Sequence, residues 1–226
     1  MKKFLLGVVL SVFFVANSAL AMTFSQPVKI GEFGCSPRFD GFIVRGSAEN
    51  NADIHATHGN EKIYGKGTAR FGNSNDSLYV HYNSYQKSFT VVKFGANDVS
   101  NTVNFDISVL DYRIFSISNS DRGNFYLLSG GYDLLENDRI IFLGRKNDGT
   151  WVKYFDTENL LKKYFGQQQL GYWFNGFKVH DNAISINYRR NFDGRAMSRD
   201  YADEYGEFRF KWDDNAQWFS VEQIKY

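Results

Sequence analysis

From Leu78 onward the chain reads as short runs in which apolar and polar residues alternate, divided about every ten residues by Asn, Asp, Ser and Gly. The runs are LYVHY, FTVVKF, VNFDISVL, RIFSIS and NFYLLS. In the third, Val103, Phe105, Ile107 and Val109 alternate with Asn104, Asp106 and Ser108, the pattern of a strand with one buried face. Upstream, Met22 to Pro37 reads as an arm or strand, and Phe39 to Arg45 as a further strand. Gly46 to Asn60 is polar and rich in small residues, which predicts a long loop. The Gly and Asn density of Gly65 to Ser77 predicts turn, short strand, turn.

The clearest strand–turn–strand signal is Arg139 to Asp156, where two apolar runs flank Asn147-Asp148-Gly149. Phe177 to Tyr188 turns in the same way at Asp181-Asn182, and Phe208 to Val221 at Asp214-Asn215. Asp148, Asp181 and Asp214 are 33 residues apart, twice over. That spacing fits either duplication or coincident hairpins. A two-residue loop at Asp181-Asn182 sets Val179 opposite Ile184, Phe177 opposite Ile186 and Lys178 opposite Ser185. The same count at Asp214-Asn215 sets Phe210 opposite Phe219, Phe208 opposite Val221 and Lys211 opposite Trp218. In the first hairpin it sets Phe142 opposite Phe155, Leu143 opposite Tyr154 and Lys146 opposite Trp151. Both faces of that hairpin are apolar, so it is expected to be the most central of the three.

One helix follows it. Asp156 or Thr157 caps a stretch with Leu160, Leu161, Tyr164 and Phe165 on one face and Lys162 and Lys163 on the other, and Gly166 ends it. The fold class expected is therefore all-β. Antiparallel sheets built from hairpins form a sandwich or a propeller-like meander, with one short α-helix near 157–165.

Composition agrees, because 18% aromatic residues and 20 glycines favour strands and turns, and both prolines precede residue 38. Residues 1–21 have the form of a cleaved signal peptide: Lys2 and Lys3, an apolar run from Phe4 to Val15, then Ala19-Leu20-Ala21. The expected mature chain, 22–226, is a single domain, with sub-halves at 22–120 and 121–226. Loss of Lys2 and Lys3 leaves 24 Lys+Arg against 25 Asp+Glu, a charge of about −1 that gives no electrostatic basis for nucleic acid or an anionic membrane surface. No later stretch is long and apolar enough for membrane insertion as a helix. The lone Cys35 cannot form a disulfide within the chain and reads as a small, partly buried hydrophobe.

Chemistry is sparsely signalled. His55 and His58, near Asp53 and Glu61, lack the further His or Cys of a specific metal motif, and Asn73 to Asp76 and Asp200 to Glu204 lack calcium-loop spacing. Asp106, Asp111, Asp133 and Glu136 are the carboxylates that a glycan hydrolase could pair across a cleft, although strand faces and turns account for each. Ser129-Gly130-Gly131 lacks the lysine of a phosphate loop and reads as a turn or bulge. No catalytic residue, metal ligand or cofactor is assigned.

The candidate binding residues lie in and beside the connection Arg189 to Glu207, which carries four arginines, five acids and two tyrosines between strands expected to be neighbours. They are Arg189, Arg190, Arg195, Arg199 and Tyr201, with Tyr172 and Trp173 close by in sequence. Aromatic platforms suit sugar rings and peptide segments. The expectation is an exported, non-catalytic binding or interaction module of the periplasm, cell surface or medium, with a glycan or an envelope protein as partner. A glycan-active hydrolase and a self-associating structural component of the envelope are the alternatives.

Overall fold

A computed structural model describes residues 22–35, 42–46, 48–50, 53–58, 61–73, 76–83, 88–94, 102–106, 111–119, 122–131, 139–165, 172–190 and 202–226. The elements in chain order are β1 (Val28–Cys35), β2 (Phe42–Gly46), β3 (Ala48–Asn50), β4 (Asp53–His58), β5 (Glu61–Asn73), β6 (Asp76–Asn83), β7 (Ser88–Phe94) and β8 (Thr102–Asp106). There follow β9 (Asp111–Asn119), β10 (Gly123–Gly131), β11 (Arg139–Arg145), β12 (Trp151–Asp156), α1 (Thr157–Phe165), β13 (Tyr172–Val179), β14 (Ala183–Arg190), β15 (Glu204–Asp213) and β16 (Trp218–Lys225). The expected all-β class with antiparallel sheets is what the chain adopts, and α1 is a minor addition.

Two sheets divide these strands. The first has the order β12-β11-β10-β9-β1-β2-β5-β6-β7-β8, with β3 and β4 also paired to β5. The second is β13-β14-β15-β16. The β11–β12 hairpin thus belongs to a different sheet from the other two Asp-centred hairpins. The change of sheet comes at α1, and the turn near residue 120 lies inside the β9–β10 hairpin.

The principal core fills the space between β9–β12 and the second sheet. Phe125, Leu127, Phe142, Ile140 and Phe155 face Phe174, Ile184, Ile186, Phe208, Phe210 and Phe219. Phe155 and Phe210 stack with centroids 3.8 Å apart, which fixes the two layers against each other. The opposite face of β9–β11 is also dry: Tyr112, Ile114, Tyr126, Leu128 and Ile141 have no exposure, nor do Leu78 and Val80 on β6. There β6 comes up to β10, so the first sheet curls over its own back. Strand β11 is therefore buried on both sides, as its doubly apolar sequence requires, and burying each such large side chain contributes about 1.5–3 kcal/mol.

Two further pieces close the sandwich. Residues 22–27 form a strap bonded to both sheets. Phe24 N–H donates to Asp181 O (2.7 Å), Ser25 N–H donates to Ser118 O (2.9 Å), and Asn119 Nδ2 donates to Thr23 O (2.7 Å). Met22 and Phe24 enter the core from this strap. Helix α1 contacts β11 and β12, with Leu160 buried in the core and Tyr164 against Phe208 at 5.2 Å. The Thr157 hydroxyl accepts from Ile140 N–H (2.8 Å), and Asp156, also buried, takes a bidentate pair from Arg139 (3.0 and 2.7 Å) and a bond from Lys153 (3.0 Å). The helix start is thereby tied to the strand beside it.

The local expectations meet mixed outcomes. Around Asp181-Asn182 the pairs Val179–Ile184, Phe177–Ile186 and Lys178–Ser185 form as counted. In the first hairpin Phe142 pairs with Phe155, but a bulge sets Leu143 opposite Lys153 and Arg145 opposite Trp151. The last hairpin corrects the count by two. Its loop holds four residues, Asp214 to Gln217, so Phe210 pairs with Val221 and Trp212 with Phe219. Lys211 pairs with Ser220, and Lys146 from the β11–β12 turn lies 5.7 Å from the ring centre of Trp218.

Three stretches expected to be irregular are strands. Gly46 to Asn60 contains β3 and β4, because polar strands gain regular hydrogen bonding from the long β5 beside them. Gly65 to Asn73 is continuous β5. Ser129-Gly130-Gly131 lies within β10, where a Cβ on residue 130 would come within 2.4 Å of the Tyr112 ring.

Candidate functional site

The site is built at the end of the second sheet from which the 191–201 connection departs. The short Asp181-Asn182 turn fixes β13 against β14, and a bulge at Asn175-Gly176, with Gly176 at φ 88°, then shifts the ladder by one residue. Two cross-sheet rows result. Tyr172, Arg190 and Glu204 are partners in one, and Trp173, Arg189 and Tyr205 in the other. Paired residues in antiparallel strands share a face. Arg190 and Glu204 fall in step with Tyr188 and Phe208 on the core side, and Arg189 and Tyr205 fall on the outer side. Asp203 N–H donates to Arg190 O (2.9 Å), so the connection leaves and rejoins the sheet at adjacent points.

Four of the seven sequence candidates are thus brought together: Arg189 and Arg190, both half-buried, and the backbone positions of Tyr172 and Trp173. The side chains of Tyr172 and Trp173, and the whole of Arg195, Arg199 and Tyr201, lie outside the described residues.

Beneath the rows is a polar network that fixes the end of the sheet. Tyr188 donates its hydroxyl to Glu204 Oε1 (2.9 Å) and accepts from Gln223 Nε2 (2.7 Å), while Lys225 Nζ bonds Glu204 Oε2 (2.8 Å). Burial, with smaller contributions from Glu204, pushes the Tyr188 phenol up to about 12. Burial also acts to raise Glu204, but the Lys225 and Tyr188 hydrogen bonds and the nearby Lys225 and Arg190 charges outweigh it and hold the carboxyl below its usual range. Glycine is required at 206, where a Cβ would fall 2.3 Å from Ile224 O and 2.7 Å from the Tyr188 hydroxyl. The tyrosine can therefore cross β15 only over a bare backbone.

On the outer side Tyr205 is 46% exposed and Tyr226 is 75% exposed, and Tyr226 N–H donates to Tyr205 O (2.9 Å). The Tyr226 hydroxyl bonds Glu207, which raises its pKa, and Arg209 pairs with the same carboxylate. The result is a rigid shelf of exposed tyrosines flanked by guanidinium groups and carboxylates. It can stack planar or ring-shaped ligands and bond their hydroxyls.

Sequence reasoning missed Tyr205, Gln223, Lys225 and Tyr226. The alternation of EYGEFRFKWD marks which side each β15 residue faces, and that is the signal which places Tyr205 with Arg189.

The chemical alternatives fall as follows. His55 and His58 are on strand β4, with side chains outside the described residues, and His180 Nε2 lies 3.2 Å from Ser185 Oγ. Asp106 and Asp111 are on strands with undescribed side chains, and Asp133 and Glu136 lie outside the described residues. Among the described residues no three His, Cys, Asp or Glu side chains come together as a metal site. Comparison of the chain with protein-family models, curated proteins and solved structures finds no match.

Proposed function

We propose that the protein is an exported, non-catalytic binding module that holds a glycan at the loop end of its second sheet. The observation that carries this is the register-fixed pair of Arg189 and Tyr205, with Tyr205 exposed at the end of the sheet and Tyr226 bonded beside it. An aromatic face beside planar cationic and anionic groups offers both stacking and hydroxyl bonding. The hydrogen-bonded network of Tyr188, Glu204, Gln223 and Lys225 supports the reading by holding the shelf rigid before ligand arrives, which lowers the ordering cost of binding. Export is supported by the signal-peptide form of residues 1–21, and cleavage after Ala21 would keep Met22 and Phe24, both core residues, in the mature chain.

The test is a printed array of bacterial envelope glycans probed with the labelled protein, followed by calorimetric titration of the best binder. Arg189→Ala and Tyr205→Ala are expected to weaken binding about tenfold or more each, a loss of about 1.4 kcal/mol, with unchanged urea midpoints. Absence of any glycan binding, or wild-type affinity in both variants, overturns the proposal. Release of reducing ends from the bound glycan overturns its non-catalytic part.

A further inference from the structure

The opposite end of the second sheet carries another aromatic cluster, where three hairpin tips meet. The tips are the β9–β10 turn with Arg122, the β11–β12 turn from Lys146 to Thr150, and the β15–β16 turn from Asp214 to Gln217. The Arg122 guanidinium lies over Trp212, 4.6 Å from the ring centre, and its Nη2 donates to Gln217 Oε1. Trp212 Nε1 donates to Asp214 Oδ1 (2.9 Å). Tyr154 meets both tryptophans, with centroids 5.4 Å from Trp212 and 5.0 Å from Trp218, and its own hydroxyl donates to Arg145 O (2.8 Å). Lys146 Nζ is 5.7 Å from the centre of Trp218.

Two features distinguish this cluster from ordinary core packing. Trp212 is buried, whereas Trp218 keeps 38% of its surface in solvent on a base fixed by Tyr154. Gln217 has φ 53°, a left-handed conformation that glycine adopts more readily. Its side chain spans the tips, accepting from Arg122 and donating through Nε2 to Asp214 O (2.6 Å). The strained residue thus locks the frame around the indole.

The surround is polar without a cationic surplus. Asn147, Asp148, Asp213, Asp214 and Asn215 are all exposed, against Lys146 and the half-buried Arg122. Asp213 Oδ1 accepts from Asn215 N–H (2.8 Å) and Ala216 N–H (3.1 Å), so its own turn orients the carboxylate. An exposed indole on hairpin tips that also carry oriented carboxylates and exposed asparagines matches the apolar C–H face and equatorial hydroxyls of an uncharged pyranose. An anionic ligand would meet three carboxylates there.

We propose that Trp218 is the platform of a neutral-sugar subsite at the tip end of the sheet. It goes beyond the loop-end reading and stands on different residues. Trp218 and Lys225 are seven residue steps apart along β16, about 23 Å at the usual strand rise.

Tryptophan emission of the purified protein, titrated separately with cellotetraose, chitotetraose and an anionic galacturonate tetramer, tests it. A saturable change with a neutral tetraose and none with the galacturonate is expected. Trp218→Ala should weaken the neutral binding at least tenfold, read by calorimetry because the reporter is gone. Asn147→Ala/Asn215→Ala, which alters only exposed tips, should weaken it severalfold with Trp218 in place. No saturable response to either neutral tetraose up to about 10 mM overturns the proposal, a concentration at which even millimolar affinity would register. Tighter binding of the galacturonate, or wild-type affinity in both variants, also overturns it. Loss confined to Arg189→Ala and Tyr205→Ala overturns this subsite while leaving the loop-end reading intact.

Discussion

Replacing Phe24 by alanine tests the claim that the 22–27 strap is part of the core. The ring is 7% exposed and sits between the layers, edge-on to Phe125 at 5.5 Å and to Phe142 at 6.0 Å, and stacked on Phe219 at 5.9 Å. Removing it forfeits a transfer contribution of about 2 kcal/mol. It also loses three aromatic contacts and leaves a void between rings that are themselves fully or nearly fully buried, so they can close it only partly. Residues 22–27 belong to no strand ladder and can settle inward more than a central strand could, so the expected cost is about 3 kcal/mol, at the low end for buried Phe→Ala changes. Its backbone bonds to Asp181 and Ser118 do not depend on the ring, so the native topology should persist. Equilibrium urea unfolding followed by far-ultraviolet circular dichroism and by fluorescence measures the loss. The midpoint should fall while the slope stays constant. A double-mutant cycle with Phe219→Leu should return a coupling of about 0.5–1.5 kcal/mol, the value for one aromatic pair. A loss below about 1 kcal/mol with zero coupling would refute the reasoning, since the strap would then lie on the sandwich without belonging to it.

Gly144→Ala is expected to destabilise by about 1–3 kcal/mol or more, because its Cβ would sit 2.0 Å from the Phe125 ring, and that ring is stacked on Phe142 at 5.5 Å with nowhere to move. Differential scanning calorimetry should show the drop in melting temperature, and Gly144→Ala/Phe125→Leu should recover part of it. The buried Asp156 gives a pH prediction. Burial is the largest influence and raises its pKa, but Arg139 and Lys153 overcome this and hold the carboxyl below the usual carboxylate range. A depressed folded pKa contributes stability that is present above the unfolded value and lost as pH falls through the folded one. Urea midpoints of the wild type should therefore decline as pH drops below about 4, and Asp156→Asn should lose stability at pH 7 and show a shallower acid decline. Parallel acid profiles for the two proteins would contradict that account.

How much of this was legible beforehand depends on the distance over which each decision is made. Alternation and Asp-centred turns are local, so the all-β class, the Thr157–Phe165 helix and the β13–β14 register next to its turn follow from the sequence. The β15–β16 register does not. Moving it by two residues keeps every side chain on the same face, so the apolar pattern is satisfied equally by a loop of two or of four. Contacts from elsewhere favour the longer loop: Arg122 bonds Gln217, and Phe219 reaches Trp212, Tyr154 and Phe142. Likewise β3 and β4 carry a single large apolar residue between them, Ile54, and their strand state comes from pairing with β5.

The candidate site divides along the same line. Arg189, Arg190, Tyr172 and Trp173 could be grouped from the sequence because a two-residue turn counts out to them, although the bulge at Asn175-Gly176 decided which row each joins. Tyr205, Lys225 and Tyr226 reach the site only through the β14–β15 ladder, across a connection too long for counting. By itself the sequence determined the strands that alternate apolar and polar residues, their faces and the doubly apolar centre at Arg139 to Asp156. Only the tertiary structure decided that this hairpin lies in one sheet and the other two in the second. Apolar faces specify that they must be covered but not by what, and the choice of partner is made by long-range packing such as Phe155 on Phe210.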